Sequence, residues 1–252
     1  MRARNLPTID AGYWVAIVAA SMCGTNAGDL AAGPLGLGHV RGILPIGIVF
    51  LAILWAEKAL SWTTVAFYWL AIIVLRTMAT NIADFATHDL KLSYPIFTAL
   101  LIVLMALLLW AERFRNIAAN DNRGVGLPAT DWNYWIVMLT AGVLGTALGD
   151  WLVEDTGLGV YWGSLVGLPL FAAAVWMAYR FGLTKYWYWF AIAICRTWGT
   201  ALGDMLVVAF RSMTSRPTAL WVSTALTAGL LACVIYFWTQ RNRTEQEAPA
   251  AP

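Results

Sequence analysis

Four aspartates are the residues of this chain whose type and setting could do chemistry. Each ends the same six-residue pattern inside an apolar run: Gly24-Thr25-Asn26-Ala27-Gly28-Asp29, Ala79-Thr80-Asn81-Ile82-Ala83-Asp84, Gly145-Thr146-Ala147-Leu148-Gly149-Asp150 and Gly199-Thr200-Ala201-Leu202-Gly203-Asp204. Ionisable side chains within membrane-type segments are costly and are functional by default. Asp29, Asp84, Asp150 and Asp204 at one level would bind a small cation. Thr25, Thr80, Thr146 and Thr200 would help, because positions i and i+4 lie about 40° apart on a helix face. Four carboxylates cannot all stay charged in a small low-dielectric space without Arg, protons or a metal ion beside them. Arg76 and Arg196 stand eight residues before Asp84 and Asp204, where the other two copies have Ser21 and Gly142. Two guanidinium groups against four carboxylates leave a formal −2, which two protons or one divalent metal ion, taken as substrate, would neutralise.

These residues recur because the chain repeats. A Tyr-Trp pair (Tyr13-Trp14, Tyr68-Trp69, Tyr134-Trp135, Tyr188-Trp189) precedes each motif, and Tyr to Asp spans 16 residues in all four copies. Self-similarity at this level is read before anything else. Around the motifs lie eight apolar segments, roughly residues 11–32, 42–57, 64–87, 94–112, 132–153, 160–179, 186–209 and 218–239. Each is near the length of about 20 residues that crosses a bilayer. Their backbone must bond to itself in lipid, and runs this long and apolar are helices rather than barrel strands. The fold class expected is an all-α integral membrane protein of eight transmembrane helices, arranged as four tandem hairpins with pseudo-twofold halves. Each hairpin joins a motif helix to a plain Leu/Ile/Val-rich helix. Gly36-Leu37-Gly38 and Gly157-Leu158-Gly159 mark the first and third links, and the fourth, Arg211–Pro217, reads as extended.

The domain plan is a lead at 1–10, a first half at 11–113, a polar linker at 114–131, a second half at 132–239 and a disordered tail at 240–252. All four motif helices run the same way, so the repeats are parallel and the Asp residues share one depth. At about 1.5 Å per residue that depth is about 24 Å from the Tyr-Trp level, with Arg76 and Arg196 halfway. The small residues Gly24, Gly28, Gly145, Gly149, Gly199 and Gly203, with Ala79 and Ala83, form small-xxx-small stripes that let helices approach closely. The Thr hydroxyls have a plainer use, bonding to their own backbone one turn back. The Asp and Arg residues likewise could form a structural network closing the bundle.

Composition excludes several classes. Charged residues make up 12% of the 252, against about 25% in soluble domains. The net charge of +2 implies no nucleic-acid partner. The partners expected are the lipid bilayer and a small cation. Trp and Tyr near segment ends read as membrane aromatic belts. Cys23, Cys195 and Cys233 lack metal or disulfide spacing and read as small buried residues. His88 and Glu154 follow Asp84 and Asp150 by one turn, with Asp89 and Asp155 next. This spacing suits a metal site on a helix, although such residues at helix ends are also often simply solvated. His39 reads as an ordinary loop residue. No cleavable leader is expected, because the first apolar run leads into a motif instead of ending at a small-residue cleavage site.

The basic residues on the side of the termini are Arg2, Arg4, Lys58, Arg113, Arg115, Arg123, Arg180, Lys185, Arg241 and Arg243. On the other side are Arg41, Lys91, Arg211 and Arg216. Ten against four predicts both termini in the cytoplasm. No enzyme is expected. A Gly before an intramembrane Asp is found in aspartyl proteases of the membrane, but those pair two Asp residues with a Pro-Ala-Leu element that this chain lacks.

The four units, with Trp55-Ala56-Glu57-Lys58 and Trp110-Ala111-Glu112-Arg113 ending the first two plain helices, resemble the bacterial inner-membrane family built from a "repeat of unknown function". The third unit departs, with Trp176-Met177-Ala178-Tyr179-Arg180 and no Glu. The resemblance implies an eight-helix bacterial inner-membrane protein and little about activity. The expected function is transport of a small cation, as a divalent metal or in exchange with protons. The alternative is a membrane scaffold or partner subunit in which Asp and Arg are purely structural.

Overall fold

Asp10 and Asp131 start the first and third units in the same way. Each carboxylate accepts a hydrogen bond from the backbone N–H of the Tyr three residues on, at 2.9 Å (Tyr13) and 3.0 Å (Tyr134). This satisfies a donor that the first turn of a helix leaves free. From such starts the computed structural model, which describes residues 7–60, 65–113 and 130–247, builds eight α-helices. They are α1 (Ala11–Ala32), α2 (His39–Ala59), α3 (Val65–Asp84), α4 (Tyr94–Arg113), α5 (Trp132–Asp150), α6 (Gly159–Arg180), α7 (Lys185–Arg211) and α8 (Arg216–Glu247). There is no strand among the described residues, and all eight helices are long and apolar enough to cross a membrane. The protein is an all-α membrane protein.

After Asp84 and Asp150, α3 and α5 each continue through one π-helical turn, Phe85–Asp89 and Trp151–Asp155. The links after α1 and α5 turn on Gly36 (φ 71°) and Gly157 (φ 72°), a left-handed conformation that favours glycine. The fourth link is short, because α7 runs to Arg211 and α8 begins at Arg216. The extension expected there goes into the helices instead. The helical backbone of α8 also continues to Glu247, into the stretch expected to be a disordered tail. Gln240–Glu247 is rich in Gln, Arg and Glu and meets its first Pro only at 249, so nothing local stops the helix. Residues 1–6, most of the linker (114–129) and 248–252 lie outside the described residues.

The motif helices form the inner ring in the order α1, α3, α5, α7, with α7 closing on α1. The expected small stripes lie at these contacts, each against the next helix. A Cβ added at Gly28 would fall 2.7 Å from Thr80 Cβ, and one at Gly149 2.9 Å from Thr200 Cβ. Gly24 lies against the stem of Arg76, Gly145 against Arg196, Gly199 against Ser21 and Gly203 against Asn26. In the second copy, Ala79 of α3 sits where Gly142 of α5 makes room.

The plain helices form the outer wall, but the hairpin is not the packing unit. Each plain helix lies mainly on the motif helix that follows it around the ring: α2 on α3, α4 on α5, α6 on α7, and α8 on α1. At the closure, the Trp238 indole N–H donates to Asp10 at 2.8 Å. The large outward apolar side chains of this wall, such as Leu44, Leu100, Leu165 and Phe237, suit lipid. Cys23 and Cys195 are buried, but Cys233 lies on the exposed side of α8, where the wall would face hydrocarbon and an apolar thiol is equally at home. The motif Tyr-Trp pairs are not a belt at the lipid surface. All eight are core residues, and exposed aromatics at the ends of helices fall to Trp55, Trp110, Trp162 and Trp176 instead.

Candidate functional site: an axial stack ending in four carboxylates

Every fourth residue from Tyr to Asp points down the axis of the ring, so the site is a stack of layers about 6 Å apart. The bottom layer, nearest the termini, is Tyr13, Tyr68, Tyr134 and Tyr188. Their hydroxyls close a four-membered hydrogen-bonded ring: Tyr13–Tyr68 3.1 Å, Tyr68–Tyr134 2.7 Å, Tyr134–Tyr188 3.0 Å and Tyr188–Tyr13 2.8 Å. Each Tyr also meets its own Trp edge-on and leans on the Trp of the next helix. The four-membered Tyr ring was missed from sequence, although its signal, the constant Tyr-to-Asp spacing, was in view.

Above it is an apolar layer of Ile17, Ile72, Met138 and Ile192, all fully buried. Then come Ser21, Arg76, Gly142 and Arg196. Both Arg side chains are only 1% exposed. Arg196 spans sideways and down, donating to Ser21 Oγ at 2.9 Å and to Met138 Sδ at 3.2 Å. Arg76 reaches up and gathers the whole Thr layer. Its Nη1 donates to Thr80 (3.4 Å), Thr146 (2.5 Å) and the Gly142 carbonyl (3.0 Å). Its Nη2 donates to Thr25 (2.8 Å) and Thr200 (2.5 Å). Gly142, lacking a side chain, leaves the carbonyl open to this contact. The hydroxyls of Thr25, Thr80 and Thr200 in turn donate to carbonyls one turn back in their own helices. One guanidinium therefore holds all four Thr residues that the sequence grouped with the Asp residues.

The top layer is Asp29, Asp84, Asp150 and Asp204. Asp84, Asp150 and Asp204 each lie within electrostatic reach of other motif carboxylates, and Arg76 lies within reach of all three. Neither Arg makes a hydrogen bond to a carboxylate, because their Nη donors go to Thr, Ser, Met and a carbonyl. The side-chain amides of Asn26 and Asn81, buried beside Thr25 and Thr80, have no hydrogen-bond partner among the described residues.

The rim above this layer is asymmetric. His88 approaches Asp84 (Nδ1 to Oδ1, 3.9 Å), and the Tyr94 hydroxyl donates to Glu154 Oε2 at 2.8 Å. His39 is not a loop residue. It begins α2, and its Nδ1 lies 3.1 Å from Asp89 Oδ2, because α2 packs on α3 and brings its first turn to the π-helical turn. Among the described residues, no three His, Cys, Asp or Glu side chains are grouped so that they could hold a metal ion. His88 and Glu154 thus share a hydrogen-bonding neighbour, Tyr94.

No curated protein and no solved structure matches the chain. The family description that does match, four times in tandem, is "Repeat of Unknown Function (DUF347)", over residues 12–61, 67–117, 133–184 and 187–244. Each match takes in one motif helix and the plain helix after it, so the repeat seen in sequence is one spoke of the ring, and the chain belongs to the family built from this repeat.

Proposed function

We propose that this protein is a proton-coupled transporter of a small cation, in which Asp29, Asp84, Asp150 and Asp204 carry the protons. The observation that carries this reading is the unequal pairing along the axis. Both Arg side chains are committed below, so the four carboxylates of the next register level have no direct hydrogen-bond donor from Arg76 or Arg196. Asp84 is buried and the other three are half-buried, and carboxylate charge withdrawn from water this way favours taking up protons or a cation. The formal −2 of the axis matches two protons. Arg76 serves as a fixed counter-charge beneath the layer while bonding the Thr hydroxyls. No enzymatic step is part of this reading. The membrane proposed is the bacterial inner membrane, with both termini cytoplasmic and the carboxylates opening toward the other side.

One observation favours a scaffold instead: the axis is filled from the Tyr ring to the Thr layer, and a transporter must open both. The two readings separate in one experiment. Asp29 and Asp150 lie on helices without an Arg, so Asp→Asn there removes charge without stranding a cation on the same helix. Purified protein in vesicles is given a pH gradient with each of a panel of mono- and divalent cations on the opposite side, and proton flux and melting temperature are measured for the wild type and the Asp29→Asn, Asp150→Asn double variant. Transport predicts an unchanged or raised melting temperature, since removing buried charge often stabilises, and lost flux. Flux absent from the wild type, or intact in the double variant, overturns it.

A further inference from the structure

Only two of the four repeats carry a titratable group one turn beyond the motif Asp. His88 follows Asp84 and Glu154 follows Asp150, whereas Gly33 and Val208 occupy the same place after Asp29 and Asp204. The same two repeats are the ones whose helices pass into a π-helical turn, a feature frequent at functional sites. A third residue joins them. Tyr94, at the start of α4, bonds Glu154 Oε2 at 2.8 Å and lies 3.5 Å from His88 Nε2. Because α4 follows α3 in the chain yet packs on α5, its first residue stands between the two π-helical turns.

We propose that His88, Tyr94 and Glu154 form a proton relay that loads Asp84 and Asp150 from the water at the face opposite the termini. This rests on the reading of the Asp layer as proton-carrying. The exposures run in the right direction. The His88 side chain is 46% exposed and that of Asp84 12%, so the imidazole meets water on one side and the buried carboxylate on the other. Imidazole is suited to this, since it takes a proton on one ring nitrogen and releases one from the other near neutral pH. In the first branch, a hydronium ion at that face protonates Nε2, and the Nδ1 proton passes through one bridging water to Asp84 Oδ1, 3.9 Å away, leaving neutral His88 and a neutral carboxyl. In the second, the Nε2 proton moves to the Tyr94 oxygen as the Tyr94 proton moves to Glu154. Tyr94 ends neutral, His88 is one proton poorer, and Glu154 then gives the proton through water to Asp150, one turn away, returning to carboxylate as Asp150 becomes a neutral acid. The groups facing His88 are Asp84, Thr87 and Asp89 from its own helix, Tyr94 from α4, His39 from α2 with its ring centre 6.3 Å away, and Glu154 beyond Tyr94.

The test follows protonation directly and does not require transport. After a rapid drop in pH, infrared absorption of protonated carboxyls is recorded on the purified full chain, with Asp84→Asn and Asp150→Asn variants assigning the bands. His88→Gln is expected to slow the Asp84 band by at least about tenfold, the lower range of what a positioned acid–base group contributes. Imidazole added to His88→Ala is expected to restore the rate, which a merely structural role would not allow. Tyr94→Phe is expected to slow the Asp150 band and spare that of Asp84. Unchanged rates in both His88→Gln and Tyr94→Phe overturn the relay, as does a wild type whose Asp84 band never changes. If the relay rates respond as expected but vesicles show no proton flux, the transport reading fails and the relay stands.

Discussion

The hydroxyl of Tyr188 lies 2.8 Å from that of Tyr13, a residue 175 positions earlier. The fourth repeat thus meets the first through the same atoms that join every other pair of neighbours. Closure lets each hydroxyl donate once and accept once, so Tyr188→Phe breaks two hydrogen bonds of the ring. At about 1 kcal/mol each, stability should fall by about 2 kcal/mol. Tyr236→Phe on the exposed side of α8 should change it by less than about 0.5 kcal/mol. Melting curves in detergent compare them, and equal effects would show that the ring is not closed in solution.

The two buried Arg residues should not be equivalent. Arg76 makes five hydrogen bonds to four helices, whereas Arg196 has two acceptors, one of them a thioether. Hydrogen bonds to charged groups contribute about 1.5–3 kcal/mol each, so Arg76→Gln should destabilise more than Arg196→Gln, by at least about 3 kcal/mol. Chemical denaturation of both variants measures the order, and the reverse order would contradict the gathering of the Thr layer by Arg76.

Gly149→Leu should prevent assembly of the ring, because even a Cβ there would sit 2.9 Å from Thr200 Cβ. Gly229→Leu, with nothing within 4 Å of the added Cβ, should fold and be produced like the wild type. Gel filtration of both from the same membranes would decide. A monodisperse Gly149→Leu protein at normal yield would mean that α5 and α7 do not touch there.

Reporter fusions after Gln246 and at Val160, in the first turn of α6, should lie on opposite sides of the membrane, the former in the cytoplasm by the excess of basic residues at that end. Fusions reporting the same side would break the parallel arrangement of the repeats.

The helices were legible because apolar run length is the strongest signal a membrane imposes, and the expected segments differ from the observed ones by a few residues except where α8 lengthens to Glu247. The axial placement of Asp, Thr and Arg was legible too, from spacings of four and eight. The direction in which a side chain reaches was not. Arg76 and Arg196 occupy the same register, yet one rises to the Thr layer and the other descends to Met138, because Gly142 and Ser21 give them different neighbours. His39 and Tyr94 were missed for a different reason. Each begins a plain helix, and each becomes part of the rim only because that helix lies against the next spoke rather than its own, which no local pattern encodes.

The displaced outer wall also bears on how the molecule is made. The cover of α1 is α8, so the earliest of these eight helices receives its shelter from the latest. Until then the flank of α1 that α8 covers stays open, although the Tyr13 hydroxyl already has both neighbours once α7 is in place. Completion of the ring is therefore a single event, in which Trp238 reaches Asp10 and the fourth spoke seals the first. Each repeat is borrowed cover for the next, and a shortened array with fewer spokes would have no natural place to stop.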